Sequence, residues 1–123
     1  MKYEKLTESI LAAAFEVSNE LGNGFLETVY EKALLLTLKE KGIHVEAQKP
    51  LNVLFRNQVV GKFVADIIVE SKVILELKAV KAIAPEHIAQ VLNYIKATDL
   101  DVGFLLNFGK SRLEYRRFNN HFD

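Results

Sequence analysis

Cysteine is missing from all 123 residues. Disulfides, thiol nucleophiles, thiolate zinc sites and iron–sulfur clusters are thereby excluded. Histidine is scarce, with three residues and no clustering. A net charge is missing too, because sixteen Lys+Arg balance sixteen Asp+Glu. Nothing global then steers the chain toward nucleic acid, although a local patch or a bound cation could supply a positive field. The longest apolar runs, such as Ala33–Leu36, fall far short of the ~20 residues of a membrane span. The opening MKYEKLTES has no apolar stretch of the secretory kind. No internal repeat, linker or low-complexity segment interrupts the sequence. What is present, 50% hydrophobic and 26% charged residues, is ordinary globular composition. The length suits one domain, residues 1–123, with a single core. The expectation is a soluble cytoplasmic α/β domain with no membrane partner.

Leu6, Ile10, Ala13, Ala14, Val17 and Leu21 recur at helical spacing, with Thr7 as the expected N-cap and Gly22 as the stop. After the Asn23-Gly24 turn, a second helix is predicted from about Leu26 to Lys41. It is apolar on most sides, which predicts a central place in the fold. Beyond Gly42 the period falls to two. Leu51–Phe55, Val59–Val69 and Val73–Val80 read as strands, with turns at Arg56–Gln58 and Glu70–Lys72. Pro85 opens a third helix to Ala97, and strands follow at Asp101–Phe108 and Leu113–Phe118. The predicted order is ααβββαββ, with a right-handed crossover joining the third and fourth strands.

Polar residues interrupt this pattern at three places: Asp66 in FVADIIVE, Glu76 and Lys78 in VILELKAV, and Gln90 with Tyr94 in the third helix. Glu76 and Lys78 share a strand face. If the hairpin loop is the three residues Glu70–Lys72, Val69 faces Val73, and Asp66 then faces Glu76. Opposed carboxylates repel unless a cation lies between them, and their hard oxygens suit Mg²⁺ or Mn²⁺. A two-residue loop would place the acids on opposite faces. The spacing alone is equally compatible with Lys78 salt-bridged to either acid on a solvated face. Apolar neighbours on both faces of the strand point to an interior position, where carboxylates need partners.

His87, Gln90 and Tyr94 fall within one arc of the third helix, beside an apolar stripe of Ile88, Val91, Leu92 and Ile95. From that helix alone, a partly solvated edge is the better account. Glu27 opens the second helix, where the macrodipole favours an acid without any further role. Lys110, Arg112, Arg116 and Arg117 form a basic C-terminal segment that could meet phosphates or simply be solvated.

Gly24-x-x-Glu27-x-x-Tyr30 resembles the signature of the GxxExxY protein family, within the PD-(D/E)XK nuclease superfamily. The resemblance runs from about Thr7 to Phe118 and takes in ADIIVESKVILELKAV and HIAQVLNYIKATDLDVGFLLNFG. It departs at Ser18, where related sequences often carry His, and at Asn23, where they often carry Pro. It implies a restriction-endonuclease-like core, a mixed β-sheet flanked by helices. It further implies that Asp66 and Glu76 bind Mg²⁺ (or Mn²⁺), that Lys78 is the catalytic lysine, and that Glu27 is an additional acid from the helix. Gln90 and Tyr94 are similar to the QxxxY motif of RecB-like members, which orients substrate or the lysine. The implied activity is hydrolysis of nucleic-acid phosphodiesters, DNA being the expected partner. So small a domain would reach duplex DNA more readily as a homodimer. A nuclease-like module that binds nucleic acid or a protein without cutting is the alternative.

Overall fold

Three β-hairpins and one crossover generate the architecture, seen here in a computed structural model that describes residues 2–120. Helix α1 (Glu4–Leu21) and helix α2 (Glu27–Glu40) come first. Strands β1 (Val45–Phe55), β2 (Gln58–Val69) and β3 (Val73–Lys78) follow. Helix α3 (Pro85–Thr98) leads to β4 (Val102–Asn107) and β5 (Glu114–Asn119). The order ααβββαββ is the one expected from the sequence. The strands lie side by side in chain order, with β3 and β4 parallel and every other pair antiparallel.

Alternation along the strands divides the core between the two faces of the sheet. Ile67, Val69, Leu75, Leu77, Phe104 and Leu106 pack against Ile10, Ala14, Leu34 and Leu38 of the first two helices. Ile68, Ile74 and Leu105 pack against Val91 and Ile95 of α3. β3 and β4 are buried on both faces, as strands covered by helices on each side must be.

Three expectations change. Thr7 is not the N-cap of α1: the helix begins a turn earlier, and the Thr7 hydroxyl donates to the Glu4 carbonyl inside it. A Thr that bonds back to a carbonyl within the preceding turn fits a helix interior as well as a cap. Helix α2 is not central either. It buries Tyr30, Leu34 and Leu38, while Leu26 and Leu36 remain 78% and 61% exposed, because only one of its faces meets the sheet. Finally, β1 and β2 form a hairpin far longer than the apolar alternation alone suggested. It is closed by Arg56 and Asn57 at φ +51° and +62°, the left-handed backbone that tight hairpin turns demand.

Candidate active site

The three residues Glu70–Lys72 do close the second hairpin. Val69 pairs with Val73, Ile68 with Ile74 and Ile67 with Leu75. The regular ladder stops there, and the next pair in register is Asp66 and Glu76. Their side chains take over the bonding. The Asp66 backbone N–H donates to Glu76 Oε2 at 3.0 Å, and the Leu77 N–H donates to Asp66 Oδ2 at 2.8 Å. Each carboxylate thus caps the partner strand with one oxygen. Glu76 Oε1 and Asp66 Oδ1 accept no hydrogen bond among the described residues.

Glu76 is 4% exposed. Burial, then the charge of Asp66, pushes its pKa from 4.5 to about 8, against the Asp66 N–H and the Lys78 ammonium. A buried carboxyl held this high marks a place short of positive charge. Lys78, half-buried at the end of β3, forms no salt bridge among the described residues. Its side chain is therefore not committed to either acid.

Helix α2 brings a residue that the spacing along the chain did not single out. The Glu31 carboxylate accepts a hydrogen bond from Gln48, which falls between the β1–β2 pairs Ala47–Ile67 and Lys49–Ala65 and has φ +50°. Burial foremost, and Asp66 next among the raising influences, lift the Glu31 pKa, and Glu31 in turn raises that of Glu76. Glu27 lies one turn earlier, is exposed, and has its charge felt at Glu31. A Glu at i+4 from Glu27, on the same side of the helix, was the available signal. Among the described residues, no group of three Asp, Glu or His stands close enough to hold a metal ion unaided. Two carboxylates suit Mg²⁺ nonetheless, since it commonly keeps several waters and takes only one or two carboxylates from a protein. The donor chemistry, paired hard oxygens lacking a counter-charge, fits such an ion.

The Gly24, Glu27 and Tyr30 signature has a local explanation. Gly24 holds φ +115° in the α1–α2 turn. Tyr30 is fully buried, donates its hydroxyl to the Gly22 carbonyl at 2.6 Å and accepts from the Phe25 N–H at 3.2 Å. Its ring stacks on Phe108 at 4.8 Å. The turn is thereby tied to the end of β4, and α2 is set over the acids.

On α3, Gln90 Nε2 donates to the Tyr94 hydroxyl at 2.8 Å. Burial first raises the Tyr94 pKa, and the charges of Glu76 and Asp66 add to it against the Gln90 bond. The pair therefore sits within electrostatic reach of the acids. His87 serves the helix itself, because its Nδ1 accepts from the Ala84 N–H and caps α3.

Asn107 also escaped the sequence pattern. It is fully buried at the end of β4, opposite Lys78. Its side chain accepts from the N–H groups of Val80 and Gly109 and donates to the Val80 carbonyl and to Glu114. It therefore clamps the chain just past the lysine. A polar residue inside an apolar strand was a visible signal of the kind that singled out Asp66.

The C-terminal cations do not form one patch. Lys110 approaches Glu114 at 3.9 Å. Arg117 donates to the Lys2 carbonyl and lies over Phe104, while alternation turns Arg116 to the other face of β5. Arg112 is exposed in the preceding loop.

The strand order and the acids at the splayed end of the β2–β3 ladder define a mixed-sheet α/β protein of restriction-endonuclease-like fold. The crystal structure of SSO0001 shares that fold, with TM-score 0.60 and 19% identity over 79% of this chain and 52% of that one. The chain thus spans about half the length of that solved relative. A model of the PD-(D/E)XK nuclease superfamily matches residues 4–118, and the chain belongs to that superfamily. No curated protein matches it.

Proposed function

We propose that this protein is a divalent-metal-dependent nuclease that hydrolyses DNA phosphodiester bonds, and that it belongs to the GxxExxY branch of its superfamily. The observation that carries the proposal is the pair of Asp66 and buried Glu76, opposed across a hairpin, with an uncommitted Lys78 two residues further on. Superfamily membership supports it.

Asp66 and Glu76, each with one carboxylate oxygen that accepts no hydrogen bond among the described residues, would hold Mg²⁺ or Mn²⁺, with the α2 acids Glu31 and Glu27 in support. When bound, the ion supplies charge neutralisation at the phosphate and acidifies a bound water. The Lys78 ammonium would orient the attacking water and stabilise the charge that develops on phosphate oxygens. Gln90 and Tyr94 would line the approach from α3. Lys110, Arg112 and Arg116 are candidates for backbone phosphate contacts, whereas Arg117 already serves the fold.

Incubation of labelled DNA and RNA, single- and double-stranded, with Mg²⁺ or Mn²⁺ tests the proposal. Cleavage of DNA is expected. Lys78→Ala and Glu76→Ala should each lower it by on the order of 100-fold or more while circular dichroism stays native. Equal cleavage by wild type and both variants would assign the activity elsewhere.

A further inference from the structure

The β1–β2 hairpin passes beside α3 and leaves a cavity of about 440 Å³ between them. Its size lies within the range of small-ligand sites, about 300–1,000 Å³. One wall is the Phe63 ring stacked on the Tyr94 ring, with centroids 3.8 Å apart and planes 12° from parallel. Leu54 and Ala97 add apolar surface, and Asn93 and Lys96 supply polar groups from α3. Tyr94 also belongs to the neighbourhood of the acids, through its bond from Gln90 and the influence of Glu76 and Asp66. Phe63 precedes Asp66 by three residues on β2, so the cavity opens about 10 Å along the strand from the candidate active site.

Charge identifies the occupant. From Lys49 to Ala65 the hairpin carries Lys49, Arg56 and Lys62 and no acid. Lys49 is paired with Glu46, while Arg56 and Lys62 are exposed. Lys96 is exposed on the facing helix. A second copy docked hairpin against hairpin would bring like charges together. A polyanion meets complementary charge instead. The apolar and aromatic walls suit the flat face of a nucleobase, which unpaired nucleotides offer and a stacked duplex conceals.

We infer that this cavity binds one unpaired nucleotide of the substrate, its base against Phe63, Leu54 and Ala97 and its phosphate near Lys96. The inference rests on the nuclease proposal and sharpens it, assigning a single-stranded or locally opened segment to the position beside the cleaved bond. Asn93 supplies an amide that can both donate to and accept from a base edge.

The test is fluorescence anisotropy with a labelled 12-nucleotide single strand, the same strand with single abasic positions, and the matching duplex. The proteins are wild type, Lys96→Glu and Ala97→Phe. Wild type should prefer the single strand and lose about tenfold in affinity at one abasic position. Lys96→Glu should weaken the intact strand about tenfold. Ala97→Phe should bind it more weakly and be indifferent to the abasic position, because its base site is filled. A flat abasic scan in a wild type that still cuts DNA overturns the nucleotide site and leaves the nuclease proposal standing. A wild type that neither binds nor cuts nucleic acid overturns both. Sedimentation in which wild type is dimeric and Ala97→Phe monomeric would give the cavity to a second copy. Should Ala97→Phe fail to fold, the exposed Lys96→Glu and the abasic scan decide alone.

Discussion

At the residue scale, Glu76 sets the chemistry. Between pH 4.5 and about 8 the folded protein keeps a proton on Glu76 that the unfolded chain has released. Folding is therefore weakened as pH rises through that window, by up to about 1.4 kcal/mol per pH unit from this group. Glu76→Gln should flatten that part of the profile. Without metal it should be as stable as wild type or more so at pH 8, because it removes one of two like charges yet can still accept the Asp66 N–H. Urea denaturation at pH 5, 6.5 and 8 reads the difference; an unchanged slope in Glu76→Gln would place the titration on another group. Lys78 salt-bridged to Glu76 would give the opposite sign at pH 8, with Glu76→Gln less stable than wild type.

At the element scale, two turns hold the site in place. The Tyr30 hydroxyl serves the carbonyl of Gly22 and the N–H of Phe25. Tyr30→Phe leaves both without that partner and should cost about 1–3 kcal/mol, measured by urea unfolding. Beyond β4, Gly109 lies so close to the chain past Lys78 that a Cβ there would stand 2.2 Å from the Val80 carbonyl oxygen. Backbone cannot retreat as a flexible side chain can. Gly109→Ala should therefore cost on the order of 3 kcal/mol. It should also loosen the Asn107 clamp, detectable as faster amide exchange at Val80 and Gly109, whose N–H groups Asn107 accepts. Protection at those two amides equal to wild type would show that the clamp does not depend on this close approach.

At the scale of the whole molecule, the acid pair lies where the β2–β3 ladder opens, between the α2 side and the α3 side of the sheet. A cation bound there stabilises only the folded chain. Mg²⁺ at tenfold its dissociation constant should add about 1.4 kcal/mol. For a domain of this size that is a rise in melting temperature of several degrees. Glu76→Gln should lose most of the rise. Among the described residues no helix is long and apolar enough to cross a membrane.

Much of this arrangement was legible along the chain because its causes are local. Hairpin register follows from loop length, so the three residues Glu70–Lys72 were enough to set Asp66 opposite Glu76. The switch of period from 3.6 to two gave the element order. Gly22 and Gly42 stopped their helices through left-handed backbone, at φ +69° and +75°. Other features depend on which faces meet. Leu36 is apolar yet exposed because α2 turns a single face to the sheet. Arg116 and Arg117 are neighbours in sequence and lie on opposite faces of β5. Glu31 accepts from Gln48, seventeen residues away. Asn107 clamps Val80 across twenty-seven residues. Such contacts depend on the packing of distant segments, and no spacing along the chain encodes that. The sequence by itself thus determined the elements, their order and the acid–acid–lysine set. Tertiary structure alone decided how deeply Glu76 is buried, which helix acid stands near it, and that a cavity lies between the hairpin and α3.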